Sequence, residues 1–526
     1  MALPEHRLPL GRGVGAPLIG EDGAVVPPPV PALFDAAHRR LTTGIVLVVS
    51  FIAFEAIGVA TALPAVLAHL GGVRLYGWAF SAFMLAQVAG IVVSGPVVDR
   101  VGMARPLTAA VALFAAGLLV GGLAPSMLVL VLGRAVQGTG AGVIAVTINV
   151  AVGRGYPPSL RPRAYAAMSS AWVVPGVVGP VIAGLVAQHL TWRLVFLALV
   201  PAVVVGAAIA LPALRLADAA TASTVGKVPG EPDASARRPG VLVALTLAVG
   251  SALVLDALAT RHAVLAAVLA VGGLALAAPA LVRVIPTRVA PPASRQLGAM
   301  AVGALANLAF FGAEAFLPLS LVSLHHRSLT EAGIVLTAAS LTWTVGTWVQ
   351  AHTQDRLGPR VLSAAGLGLV AVGVAGVAAL GWSGTPWWTA FPAWAVAGGG
   401  MGLAYATTTL VVVSAAGPGR QGGPVAAMQV LITLGIAVGA GAGGAALAWS
   451  VALGHGRAPG LRLFDSAVVV VALVGVALTA TVPRRVPVHA AEPGAGPGAG
   501  GAVPVPTPAP PGPGTVPPTA TDENGL

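Results

Sequence analysis

Residues 41–65 read LTTGIVLVVSFIAFEAIGVATALPA, an apolar run with one ionisable side chain, Glu55. A bilayer core takes about 20 apolar residues as an α-helix. In lipid, backbone polar groups must be satisfied within the segment, so the run reads as a membrane-spanning helix and not a strand. Thirteen more follow at 75–97, 106–124, 126–150, 165–188, 193–213, 241–260, 263–283, 297–322, 329–350, 361–381, 387–412, 423–450 and 462–482. The seventh and eighth share one apolar stretch. They are divided at Arg261-His262, because a charge at the bilayer centre costs about 3 kcal/mol. Composition agrees: 56% of residues are hydrophobic and 9% charged, against roughly 25% charged in a soluble domain.

With the N-terminus inside, the inner segments hold 21 Arg and Lys residues and the outer ones 6 (Arg74, Arg193, Arg261, Arg327, Arg457 and Arg462), with Arg134 left inside a span. The positive-inside rule then puts both termini in the cytoplasm of a bacterial cell membrane. The net charge of +11 reports this topology. No nucleic-acid partner is expected, since the basic residues form no patch with interleaved aromatics. The absence of cysteine excludes disulfide and thiolate chemistry. Residues 1–40 and 486–526 read as disordered Pro/Gly-rich cytoplasmic tails and 214–240 as a polar cytoplasmic linker.

The chain also matches itself at an offset of 254 to 260 residues. Leu63-Pro64 answers Leu317-Pro318, and Gly77 answers Gly333. Asp99-Arg100-Val101-Gly102 answers Asp355-Arg356-Leu357-Gly358. Gly138, Gly140 and Gly142 answer Gly398, Gly400 and Gly402, and Gly179 answers Gly439. The expected fold is all-α: a six-helix half over 41–213, an inserted helix pair over 241–283, and a second six-helix half over 297–482. Parallel halves of this kind form rocker-switch carriers that work by alternating access.

Four motifs sharpen the reading. The loop after the second span carries Gly95, Asp99, Arg100 and Gly102, as in Gly-x-Leu-x-Asp-Arg-x-Gly. The fourth span has Arg134-Ala135-Val136-Gln137-Gly138-Thr139-Gly140, as in Arg-x-x-Gln-Gly-x-Gly. The fifth has Pro175, Gly176, Gly179, Pro180 and Gly184, as in Gly-x-x-x-Gly-Pro-x-x-Gly-Gly. The first ends in Ala62-Leu63-Pro64. Together they resemble the major facilitator superfamily, in particular its fourteen-helix drug:proton antiporters. Met103-Ala104, Ala183 and Glu55 depart from the family pattern, which has a basic pair, a glycine and often an Asp there. The resemblance implies that Asp99 latches the outward-facing state against the fifth helix of the second half. It also implies that the fifth-span motif acts as a hinge setting the export direction. Without the resemblance, Asp99 reads as a solvated helix-end charge and the glycines as close helix packing.

Glu55 and Arg134 lie about nine and eight residues in from the same membrane surface, roughly 12–14 Å deep at 1.5 Å per residue. They can pair, with Gln137 one turn on from Arg134. A carboxylate's hold on a proton depends on burial and neighbouring charge, so the pair suits proton coupling; a static packing ion pair is the other reading. Glu314 sits at similar depth in the second half, as a further proton site or a substrate ligand. Its half holds Ala309 and Trp394 where the first holds Glu55 and Arg134. Asp256 reads as a solvated end charge.

Gln87, Gln137, Trp172, Asn307, Phe310, Phe311, Trp343, Tyr405 and Gln429 are the candidate cavity lining, fit for lipophilic and cationic ligands; aromatics of this kind also face lipid or pack helices. His325-His326 lack a third metal ligand, and no phosphate-cradling Lys-Ser/Thr loop is present. No cofactor, metal, enzymatic reaction or ATP drive is therefore expected. The expected function is that of a monomeric secondary transporter exchanging protons for a lipophilic small molecule. A carrier of an endogenous metabolite and a non-transporting receptor or scaffold are the alternatives.

Overall fold

The computed structural model describes residues 18–19, 25–26, 32–36, 38–157, 159–224, 241–285, 292–415 and 422–485. Most of both expected tails lies outside these residues. A two-residue ladder joins Leu18–Ile19 to Val25–Val26. The first half consists of α1 (Arg39–Leu70), α2 (Trp78–Val101), α3 (Ala104–Gly122), α4 (Met127–Gly155), α5 (Arg161–Val186), α6 (Arg193–Leu197) and α7 (Leu199–Thr224). The inserted pair is α8 (Val241–Ala259) and α9 (Ala263–Val284). The second half is α10 (Pro292–Glu314), α11 (Leu317–Leu324), α12 (Leu329–Ala379), α13 (Ala390–Ala415), α14 (Gly422–Ala452) and α15 (Ala458–Leu478).

Thirteen continuous helical stretches among the described residues are long and apolar enough to cross a bilayer. One, α12, runs 51 residues, about 76 Å at 1.5 Å per residue, against a hydrocarbon core of roughly 30 Å. It breaks at Gly358, whose φ of 75° and ψ of 161° are not helical, and Pro359 follows. α12 is therefore long enough for two passes, which makes fourteen candidate passes among the described residues. Gly102, the repeat counterpart of Gly358, turns the chain between α2 and α3 at φ 80°. Only glycine adopts that region without strain.

α7 continues to Thr224, so the expected linker 214–240 is helical over its first part; residues 225–240 lie outside the described set. The Asp218 carboxylate explains the extension. It accepts from Met103 N–H through both oxygens at 2.9 Å and from Ala104 N–H at 2.9 Å, capping the N-terminus of α3. The second half ties the same junction with reversed polarity. Arg360, just past Gly358, donates to the Val482 carbonyl at 3.0 Å and to the Ala480 carbonyl at 2.5 Å.

The internal repeat is visible atom by atom. A Cβ on Gly138 or Gly142 would strike the carbonyls of Phe83 and Gln87, and one on Gly398 or Gly402 those of Ala339 and Trp343. Gly140 faces the Ala110 carbonyl as Gly400 faces that of Gly366. In each half the fourth pass lies backbone to backbone on the second and third. Such contact compensates for the lack of a hydrophobic driving force between helices in lipid.

The two halves meet at the far face, the membrane side opposite the entry to α1. There Gly77 of α2 abuts Gly444 of α14, and Gly333 of α12 lies against the Pro180 carbonyl of α5. Ser81 donates to the Ala437 carbonyl at 2.8 Å, and its repeat counterpart Thr337 to the Val177 carbonyl at 2.8 Å. The Tyr76 hydroxyl reaches the Ala315 carbonyl at 3.3 Å. All these contacts join one half to the other. α8 packs on α2 and α14 together, with Leu247 and Leu255 beside Leu85, Val88, Val430 and Leu434.

Candidate functional site

α1, α2 and α4 converge on one buried charge cluster. Glu55 is 0% exposed and Arg134 1%. Arg134 Nη1 binds Glu55 Oε1 and also donates to Gln137 Oε1 at 3.2 Å. Its Nε donates to the Ala79 carbonyl of α2 at 2.9 Å, and the guanidinium lies 4.2 Å from the Phe83 ring centroid. One cation thus ties three helices. Among the described residues, Glu55 Oε2 and Gln137 Nε2 are buried with no hydrogen-bond partner. A buried polar atom left unpaired is costly, so Glu55 Oε2 is a position where a proton or a ligand donor would be stabilised.

The second half builds something different on the same pseudo-symmetric positions. Trp394, in the place of Arg134, is fully buried and stacks on Phe310 at 4.6 Å and 18°. Phe310 meets Phe311 at 5.2 Å and Trp343 at 5.5 Å, both edge-on. Trp343 also contacts Tyr405 at 5.9 Å. Trp343 itself stands where the first half has Gln87, as the matching contacts of Gly142 and Gly402 show. Glu314 lies one turn beyond Phe310 on the same face of α10, just before the helix breaks at Ala315-Phe316. It is 9% exposed and makes no hydrogen bond or ion pair with a described residue.

The other candidates are spread more widely. Asn307 is buried but donates to its own helix, to the Gly303 carbonyl at 2.8 Å. Gln429 is exposed and reaches Thr433 Oγ1 at 3.5 Å. Gln87 is half-buried. Trp172 is 47% exposed. Asp99 pairs with Arg154 Nη2 at 3.0 Å within its own half, and the N-terminus of α3, next in the chain, is capped by Asp218. Arg100 is exposed.

Pro175 and Pro180 sit inside a continuous α5, whose backbone irregularity falls later, at the π-helical turn Ala187–Thr191. Gly176 and Gly184 do provide close approach, but across the seam between halves: a Cβ would lie 3.3 Å from Ser340 Oγ and 2.6 Å from the Leu329 carbonyl oxygen. Gly179 faces Phe54 at ordinary contact distance. Asp465 of α15 escaped the sequence reading. It is 3% exposed, and its Oδ1 has no partner among the described residues. A lone carboxylate inside a predicted span was the available signal.

Comparison with known proteins places this arrangement. The profile of the Major Facilitator Superfamily matches residues 43–440. A probable multidrug-efflux transporter of Mycobacterium tuberculosis is 30% identical over 434 residues, covering 77% of this chain and 87% of that protein. An uncharacterised MFS-type transporter of Schizosaccharomyces pombe is 34% identical over 153 residues, 29% of this chain. Against that relative and several others the chain spans only about a quarter of their length. Among solved structures, an auto-inhibited POT family peptide transporter shares the fold at a TM-score of 0.62 and 15% identity, covering 86% of this chain and 99% of that one. With its duplicated six-helix halves, its motifs in order and this match over most of its length, the chain belongs to the major facilitator superfamily of membrane transporters.

Proposed function

We propose that the protein exports lipophilic compounds, cationic ones among them, in exchange for protons. The observation that carries this reading is Glu55: one carboxylate oxygen is held by Arg134, and the other is buried without a partner. Proton-coupled exchange needs a group whose protonation depends on which side the cavity faces, and a half-paired buried carboxylate meets that need. The aromatic group around Phe310, Trp343 and Trp394 offers flat apolar and π faces for lipophilic or cationic ligands. Glu314, on the same face of α10, adds a negative charge or a second proton site. The relative described as a probable multidrug-efflux transporter supports the same substrate class.

The seam between halves is closed at the far face in this structure. Alternating access then requires the glycine crossings at Gly77/Gly444 and Gly333/Pro180 to part while the opposite face closes, where Asp99 takes its part as a latch. The arginine balance supports cytoplasmic termini, and on that reading the far face is external.

The test is uphill dye efflux from proteoliposomes under an imposed pH gradient. Wild type should concentrate the dye. Glu55→Gln keeps the shape and hydrogen bonding but cannot release a proton; it should abolish uphill movement while dye binding or downhill exchange persists. No dye flux in the wild type would favour a receptor or scaffold. Wild-type uphill rates in Glu55→Gln would move the coupling to Glu314.

A further inference from the structure

A second site lies apart from the charge cluster, at the far face. A cleft of about 320 Å3 is lined by Arg74, Ala259, Arg261, Ala448, Trp449 and Ala452. Arg74 belongs to the short turn Val73–Leu75 after α1, Arg261 to the turn between α8 and α9, and Trp449 to α14. The cleft therefore joins the first half, the inserted pair and the second half. Both arginines are exposed, and neither makes a hydrogen bond or an ion pair with a described residue. Asp256, one turn before the α8–α9 turn, forms no ion pair with Arg261; its carbonyl accepts from Thr260 Oγ1 at 2.8 Å. Two guanidinium groups thus share one cleft, and among the described residues no acid lines it.

We propose that Arg74 and Arg261 bind the phosphate headgroup of an anionic phospholipid. Guanidinium presents a planar fork of donors that matches phosphate oxygens in pairs. The volume lies within the range that holds a small ligand. Trp449 suits a membrane–water interface, and its Nε1–H already donates to the Leu258 carbonyl at 2.9 Å, fixing the indole as a wall. What favours a lipid over a free phosphate is the surface below the cleft. Val264, Val268 and Val271 of α9 are 79%, 62% and 69% exposed and lie at i, i+4 and i+7. This single apolar stripe starts one turn past Arg261 and can carry an acyl chain. A lipid bound here touches all three parts of the molecule where the halves are closed, so it stabilises the far-closed state.

Native mass spectrometry of the purified full chain tests the assignment. Wild type should retain one phosphatidylglycerol molecule more tightly than phosphatidylcholine. Arg74→Gln/Arg261→Gln should lose that preference, with affinity for phosphatidylglycerol at least tenfold weaker, while unfolding at the wild-type temperature in lipid-free detergent. Arg74→Lys/Arg261→Lys, which keeps the charge without the fork, should fall between. Phosphatidylglycerol should also raise the unfolding temperature of the wild type more than that of the glutamine variant. Equal phosphatidylglycerol retention by wild type and the glutamine variant would overturn the site. Equal binding of phosphatidylcholine by the wild type would overturn the charge argument. Full protection by millimolar inorganic phosphate would reassign the cleft to a free anion.

Discussion

Ser81 and Thr337 are the most direct handles on the far-face seam. Each donates one hydrogen bond across it at 2.8 Å, to the Ala437 and Val177 carbonyls respectively. Ser81→Ala with Thr337→Val removes both donors with little change of volume. Each carbonyl lies inside a helix and keeps its intrahelical partner, so no acceptor is orphaned. Thr337 Oγ1 also donates to the Gly333 carbonyl of its own helix at 3.2 Å, a bond that is lost whether the seam is open or closed. The relevant loss is then about 1 kcal/mol per bond and about 2 kcal/mol for the pair. At 1.4 kcal/mol per tenfold, that is a shift of about 30-fold toward the far-open state. The chain has no cysteine, so Leu123→Cys and Ser383→Cys, both on exposed positions, can carry spin labels on opposite halves at the far face. Pulsed dipolar spectroscopy in lipid should show a long-distance population growing in the double variant. An unchanged distance distribution would refute the idea that these two bonds hold the seam.

Further outcomes are expected. Arg134→Ala leaves Glu55 buried and unpaired and severs the tie among α1, α2 and α4, costing about 3–5 kcal/mol; thermal unfolding in detergent should show a clear loss, and Arg134→Lys a smaller one. Asp218→Ala removes the cap on α3 at about 1–2 kcal/mol, and limited proteolysis near residue 220 should accelerate, whereas Asp218→Asn should be milder. Asp99→Asn should slow transport with little change in ligand affinity, as a latch acts on the conformational equilibrium and not on the pocket; loss of affinity at unchanged turnover would contradict it. For a neutral substrate exchanged one for one, collapsing the membrane potential should slow the wild type, since one positive charge enters per cycle. For a monovalent cation the cycle is electroneutral, and only the pH gradient should matter.

Much of this was legible in the sequence. Helix positions followed from hydropathy because lipid permits few alternatives. The break within α12 was signalled by Gly358-Pro359. The meeting of Glu55 with Arg134 followed from equal depth on helices expected to adjoin. The unread parts share a physical cause: they depend on packing that periodicity does not encode. Helix α7 outlasts its apolar run because Asp218 finds the N-terminus of α3, a partner 114 residues away in sequence. The α5 motif glycines read as a hinge by resemblance and as close helix packing by chemistry, but which helix they meet depends on how the halves face one another. Asp465 was passed over because it lies near a span end, where an acid usually meets water, whereas the fold buries it.

The seating of α8 gives the molecule a spine. It bridges α2 and α14, members of opposite halves, and its leucines are buried against both. Across the molecule, α5 and α12 meet directly, and among the described residues neither inserted helix packs along their seam. Val174 and Val178 on one side and Leu341 and Val345 on the other are exposed. When the halves rock, the bound edge must slide side chains along α8, while the free edge displaces only lipid. Rocking of the halves about this edge would be the motion of a book, with its pages parting along α5 and α12, and a lateral opening there would admit a lipophilic solute of the kind proposed without passage through water.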